Sequence, residues 1–149
     1  MIKTCQQIQD ISIYRPFYPK DCGTPKHQQL FAFADASDLA LCYAIYIRTE
    51  TTNGSLFVTL VAGNSKVLPK GVSLKGQLSI PRAELCAARD LAEQVLQVEK
   101  DLDIKNLQPT RYFTDSQDVL AWINNKEDAK PRYITSRVTT ICKISKPTQ

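Results

Sequence analysis

Short apolar runs bounded by polar residues fill the first half of the chain. Leu30–Ser37 is one such run, and it is too short to offset the cost of nucleating a helix, so the pattern predicts a strand. Leu39–Arg48 and Leu56–Asn64 follow as two β-rich runs, and Asn53 and Gly54 between them are typical of a hairpin. The pattern therefore predicts three successive antiparallel strands.

Helical spacing replaces this pattern further along the chain. Pro81 suits the first turn of a helix that we expect to run to about Lys100. Glu84 falls on the apolar stripe of this helix at about 100° per residue, so we expect its side chain to point with the core-facing residues. The other members of the stripe are Ala88, Leu91, Val95, Val98 and Leu102.

The aromatic run Arg111–Ser116 predicts a fourth strand, followed by helices from about Ser116 to Asn125 and from about Pro131 to Ile144. The side chains expected to point inward are Val119, Leu120 and Ile123 in the first of these helices, and Ile134, Val138 and Ile141 in the second. A helix between the third and fourth strands lets the fourth pair in parallel with the first. The predicted class is α/β, with a mixed sheet of three antiparallel strands and a parallel fourth.

One domain is expected from residue 28 to residue 149, preceded by an irregular arm over residues 1–27 with a turn near Cys5–Ile11. Ser65–Ser79 is predicted to be a basic loop. The sequence contains neither a secretory leader nor a long apolar span, so we expect a cytoplasmic or nuclear protein. Five widely spaced cysteines favour reduced thiols over a zinc site or a disulfide framework.

Two aspartates end predicted strands. Asp35 closes the first strand, on one face with Phe31 and Phe33, which we expect to be core aromatics. Asp115 closes the fourth strand in the same way. Because neighbouring parallel strands end at one edge of a sheet, we expect the two carboxylates to meet there, with Glu84 brought over them by the long helix.

Three crowded carboxylates repel one another unless a cation neutralises them, and all-oxygen ligands select Mg²⁺ or Mn²⁺. Two such ions about 4 Å apart activate a water and stabilise the leaving oxygen in phosphodiester hydrolysis. Taken singly, Asp35 and Asp115 also fit ordinary strand-end or helix-cap residues, and Glu84 fits a first-turn glutamate. Their joint arrangement is what indicates a metal site.

Positive charge is concentrated in two segments around these acids, within a net charge of +4. Residues 51–83 contain no acid, and neither do residues 129–149. The basic residues are Lys66, Lys70, Lys75 and Arg82 in the first segment and Lys130, Arg132, Arg137, Lys143 and Lys146 in the second. This pattern suits a polyanion such as nucleic acid, although solvated faces that keep the domain soluble explain it equally well.

Three motifs, FADAS, IPRAELCAA and FTDSQDVLAWI, resemble the ribonuclease H domain of retroelement polyproteins, most closely those of the Bel/Pao retrotransposons. The similarity runs from about Ile13 to Ile144. The resemblance implies a ribonuclease H-like fold and metal-dependent hydrolysis of the RNA strand of RNA/DNA hybrids. It further implies that Asp35 bridges two ions, while Glu84 and Asp115 complete the site of the ion near the leaving group.

The resemblance also suggests partners. Ser37, Ser116 and Gln117 are candidates for contacting the minor groove, although each fits a turn or helix-cap role equally well. Lys66, Lys70 and Lys75 are candidate phosphate contacts. A reverse transcriptase domain in a longer polyprotein is a further expected partner.

The family pattern continues with a fifth strand and a last helix that carries a fourth carboxylate, and the sequence up to Gln149 contains neither. We therefore expect the Asp115 strand to be an exposed edge open to self-association. Two interpretations follow. The chain is a metal-dependent ribonuclease H domain, or it is a catalytically impaired or co-opted domain that binds nucleic acid or a protein partner without turnover.

Overall fold

A four-stranded mixed sheet organises the computed structural model, which describes residues 16–19, 21–68, 79–125 and 130–145. The elements are β1 (Pro25–Ala36), β2 (Ala40–Thr51), β3 (Leu56–Val67), α1 (Ile80–Leu102), β4 (Leu107–Phe113), α2 (Gln117–Asn124) and α3 (Arg132–Ser145). The predicted order of three strands, a helix, a strand and two helices is confirmed. The first strand begins earlier than predicted, because the polar residues before Leu30 also pair with β2.

The strands lie in the order β3-β2-β1-β4. β1 pairs antiparallel with β2, β2 pairs antiparallel with β3, and β1 pairs parallel with β4, with Phe33 beside Phe113. The predicted parallel pairing of the first and fourth strands is therefore confirmed. Gly54 has a positive φ of 83° in the hairpin between β2 and β3, a conformation that glycine adopts without the strain that a Cβ would add.

The core lies between one face of the sheet and α1. Leu30, Ala32 and Ala34 of β1 are buried there, together with Leu91 and Val95 of α1. The prediction that Phe31 and Phe33 are core aromatics is wrong. β1 is apolar on both faces, so strand alternation alone does not reveal which face meets the helix.

The aromatic side chains instead line the opposite, open face of the sheet. Phe33 is 41% exposed, and its ring stacks on that of Phe113 with centroids 4.8 Å apart. The ring of Phe31 also stacks on that of Phe113, with centroids 6.0 Å apart. The small side chains of Ala32 and Ala34 face α1.

A second buried cluster joins the three helices. Leu85 of α1 packs with Val119 of α2 and with Ile134 and Ile141 of α3. The predicted inward positions are confirmed for these residues of α2 and α3 but are wrong for Leu120, which is 45% exposed. α2 spans only eight residues and buries Val119 alone.

Several predictions fall outside the described residues, namely the turn near Cys5–Ile11, most of the basic loop, and Lys70 and Lys75 within it. Cys22, Cys42, Cys86 and Cys142 carry free thiols. Within the described ranges, no helix combines the length and the apolar character needed to cross a bilayer.

Candidate metal centre

Asp35 and Asp115 lie at the same edge of the sheet. Parallel pairing sets Phe33 beside Phe113, and each aspartate follows its phenylalanine by two residues. Both aspartates are exposed and line one groove of about 500 Å³, whose walls include Phe33, Phe113 and Cys42. The topology of the strands thus brings together two carboxylates that are far apart in sequence.

Glu84 reaches the neighbourhood of Asp115 through Ser116. Ser116 is the N-cap of α2, and its Oγ accepts a hydrogen bond from the backbone N–H of Val119 at 3.3 Å. The same hydroxyl donates a hydrogen bond to Oε2 of half-buried Glu84, on the second turn of α1. The carboxylate of Glu84 is therefore held beside the residue that follows Asp115.

The three carboxylates do not form a closed cluster. No group of three aspartate, glutamate, histidine or cysteine side chains within the described ranges comes close enough to hold a metal ion. Asp35 and Asp115 line the groove, while Glu84 is hydrogen-bonded to Ser116, the N-cap residue of α2. The donors are nevertheless all carboxylate oxygens, the ligand type that fits Mg²⁺ or Mn²⁺.

The predicted nucleic-acid contacts fall into different environments. Ser37 is exposed in the turn after β1, where its Oγ accepts hydrogen bonds from the N–H groups of Leu39 and Ala40, each at 3.2 Å. Ser116 is only 6% exposed, and its hydroxyl is hydrogen-bonded to the backbone N–H of Val119 and to Glu84. Gln117 is exposed at the start of α2.

Lys66 is engaged in an ion pair. Its Nζ lies 2.9 Å from Oδ2 of Asp90 on α1, and Arg89 binds the other oxygen of Asp90 at 2.6 Å. Burial acts to raise the pKa of Asp90, but the hydrogen bonds and charges of Lys66 and Arg89 outweigh it and hold this pKa below its usual range. The charge of Lys66 is therefore balanced within the domain.

Sequence reasoning missed a cluster around Tyr133 at the contact between α1 and α3. Arg82 of α1 and Arg137 of α3 both lie over the ring of Tyr133, and Sγ of Cys86 is 3.0 Å from its hydroxyl oxygen. The spacing of four residues between Tyr133 and Arg137 was the available signal, because it places the two side chains on one face of a helix. The position of Arg82 over the same ring could not be predicted from spacing, because it depends on how α1 and α3 pack.

Comparison with known proteins identifies the family. A model of the Pao retrotransposon-like RNaseH-like domain matches residues 1–116, which include Asp35, Glu84 and Asp115. No curated protein is significantly similar in sequence to this chain. Among solved structures, RNase H1 from the halophilic archaeon Halobacterium salinarum NRC-1 is similar with a TM-score of 0.44 at 15% identity, over 79% of this chain and 77% of that chain. The family match extends over more than half of the chain, which therefore belongs to the Pao retrotransposon-like RNaseH-like domain family.

Proposed function

We propose that this domain hydrolyses the RNA strand of RNA/DNA hybrids, using Mg²⁺ or Mn²⁺ held by Asp35, Glu84 and Asp115. The observation that supports the proposal most strongly is the groove shared by Asp35 and Asp115 at the carboxyl ends of two parallel strands. Membership of a ribonuclease H-like family is consistent with nuclease chemistry at this edge.

The three acidic residues have different roles in the proposed metal site. Asp35 and Asp115 are exposed, so they present negative oxygens to a cation without further burial of charge. Glu84 would hold a metal ion together with them if its carboxylate were released from the hydroxyl of Ser116. Divalent ions at such a site polarise the scissile phosphate and lower the pKa of bound water.

The basic residues and the exposed polar residues near the groove provide the proposed contacts to nucleic acid. Ser37 and Gln117 flank Asp35 and Asp115 in sequence and are exposed. Lys70 and Lys75, outside the described residues, remain proposed phosphate contacts. A reverse transcriptase domain in a longer polyprotein and a cytoplasmic or nuclear location belong to the same proposal.

A second candidate function is binding of nucleic acid without turnover. The observation that favours it is the engagement of Glu84 with Ser116, because a metal centre with only two available carboxylates binds its ions weakly. Under this alternative the groove and the basic residues hold the nucleic acid, and no bond is cleaved.

A cleavage assay separates the two functions. An RNA/DNA hybrid with labelled RNA is incubated with Mg²⁺ or Mn²⁺ and the wild-type protein, Asp35→Asn or Asp38→Asn. Asp38 is an exposed acid in the turn after β1 and serves as the matched control. The proposal predicts cleavage by the wild type and Asp38→Asn only. Equal cleavage by all three proteins contradicts it, and binding without cleavage by the wild type supports the second candidate.

A further inference from the structure

The hydroxyl group of Ser116 has a single proton, and it gives that proton to Glu84. A serine hydroxyl donates one hydrogen bond and accepts others through its oxygen. The hydroxyl of Ser116 donates to Oε2 of Glu84 and accepts from the backbone N–H of Val119 at 3.3 Å. Its only donor is therefore committed to the carboxylate of Glu84.

Neighbouring groups fix the position of this hydroxyl. The backbone N–H of Ser116 donates a hydrogen bond to Oγ1 of Thr114 at 3.2 Å, and Ser116 is the N-cap residue of α2. Asp115, which lines the groove, lies between Thr114 and Ser116 in the chain. The donor to Glu84 is thus held at the junction of β4 and α2, next to a candidate metal ligand.

Glu84 forms no ion pair within the described residues. Its side chain is half-buried, and the ion pairs that the structure contains there all involve other acids. Burial of a carboxylate without a cationic partner is costly, and a hydrogen bond to the charged oxygen lowers this cost. The hydroxyl of Ser116 therefore stabilises the carboxylate of Glu84 in its present position.

This position of Glu84 lies outside the groove. The walls of the groove include Asp35 and Asp115 but not Glu84. Within the described ranges the three acids are not close enough together to hold a metal ion. Since a carboxylate that moved into the groove would lose the hydrogen bond from Ser116, the hydroxyl and a cation in the groove compete for Glu84.

We propose that Ser116 is a positioning residue that holds Glu84 away from the groove and thereby lowers the affinity of the candidate metal centre for Mg²⁺ or Mn²⁺. This role rests on the proposed function in taking Asp35, Glu84 and Asp115 as the ligands. It goes further by naming the side chain that limits how many of them are available. A hydrogen bond to a charged group corresponds to about a tenfold change in an equilibrium constant, so release of Glu84 is expected to raise the affinity about tenfold.

Calorimetric titration of Mn²⁺ into variants of Ser116 tests this role. Ser116→Ala removes the hydroxyl, and its Kd is expected to be about tenfold lower than that of the wild type. Ser116→Thr keeps a hydroxyl and is the matched control, with an unchanged Kd. A purely structural role of Ser116 predicts the opposite for Ser116→Ala, because loss of the N-cap destabilises α2 and does not improve a binding site.

Two further variants keep the test specific. Glu84→Ala and the double variant Glu84→Ala/Ser116→Ala are expected to have equal Kd values, because the hydroxyl has no carboxylate left to restrain. Ser116→Gly also removes the hydroxyl, and it replaces Ser116→Ala if that variant fails to fold, since an N-cap tolerates glycine better than alanine. Circular dichroism at the temperature of the titration checks that each variant is folded.

Each outcome decides the proposal. Unchanged or weaker binding by the variants without the hydroxyl overturns it, and so does an equal gain in the Glu84→Ala background. If the wild type then still loses its binding in Asp35→Asn, the proposed metal site stands without the restraint. Tighter binding by Ser116→Ala with none by the wild type supports the restraint and contradicts metal-dependent cleavage by the wild type. No binding by any of these proteins overturns both.

Discussion

The hydrogen bond between Ser116 and Glu84 predicts an energetic link between the candidate metal centre and the start of α2. In Ser116→Ala the backbone N–H of Val119 loses its cap, and the carboxylate of Glu84 loses a donor. Water cannot fully replace either partner, because Val119 is buried and Glu84 is half-buried. The variant is therefore expected to be clearly less stable than the wild type.

The magnitude has two parts. Loss of a serine N-cap costs about 1 kcal/mol. Loss of a hydrogen bond to a charged group costs about 1.5–3 kcal/mol, and partial exposure of Glu84 favours the lower end of this range. The free energy of unfolding is thus expected to fall by about 2–3 kcal/mol, which corresponds to roughly 5–10 °C in Tm for a domain of this size.

A double-mutant cycle isolates the pairwise contribution. Denaturant unfolding is measured for the wild type, Ser116→Ala, Glu84→Ala and the double variant, with Ser116→Thr as a control that keeps the hydroxyl. We expect a coupling energy of about 1 kcal/mol between the two positions. A coupling energy below about 0.3 kcal/mol, or a Ser116→Thr variant as unstable as Ser116→Ala, refutes the reasoning.

Three further predictions concern packing and pH. Leu85 is fully buried among the three helices, so Leu85→Ala is expected to lower the free energy of unfolding by about 2–5 kcal/mol. Leu120 is exposed, so Leu120→Ala is expected to lower it by less than about 0.5 kcal/mol. Equal losses of the two variants in denaturant melts would contradict the assigned packing. Burial raises the pKa of Tyr112 and of Tyr133 to about 12, above the value of about 10 expected in the unfolded chain. The contribution of these two neutral hydroxyls to the free energy of unfolding is therefore fully present below about pH 10 and is lost as the pH rises towards 12. Replacing Tyr112 with Phe is expected to weaken that decline in alkaline melts, and an unchanged decline counts against burial of its hydroxyl. The pKa of Asp90 is lowered in the folded state, so its stabilisation is present above about pH 4 and is lost at lower pH. Acid melts of Asp90→Asn are expected to show a smaller loss than the wild type.

Strand order and the edge that carries the aspartates could be predicted from sequence because they depend on local patterns. Short apolar runs predict strands, and a helix between two of them predicts parallel pairing of β1 with β4. Asp35 and Asp115 end equivalent runs, so parallel pairing was enough to place them together.

Side-chain partners could not be predicted in the same way. β1 is apolar on both faces, so its sequence does not indicate which face is buried. The face with Ala32 and Ala34 forms the core because α1 packs against it, and the face with Phe31 and Phe33 stays open. Helical periodicity indicated which face of the helix carries Glu84. It did not indicate the partner of this residue, because Ser116 is 32 residues away in the sequence.

The cluster around Tyr133 could not be predicted either, because it depends on tertiary packing. Arg82 and Arg137 belong to separate basic segments, and the sequence contains no signal that these two residues share one ring. Their convergence on Tyr133 follows from the packing of α3 against α1, in which Leu85 meets Ile134 and Ile141.

Calorimetric titration of Mn²⁺ tests the central claim, that Asp35, Glu84 and Asp115 together bind a divalent cation, most directly. We expect saturable binding to the wild type and to Asp38→Asn, with loss of binding in Asp35→Asn. Identical binding by all three proteins, or no binding by the wild type at millimolar Mn²⁺, would contradict it.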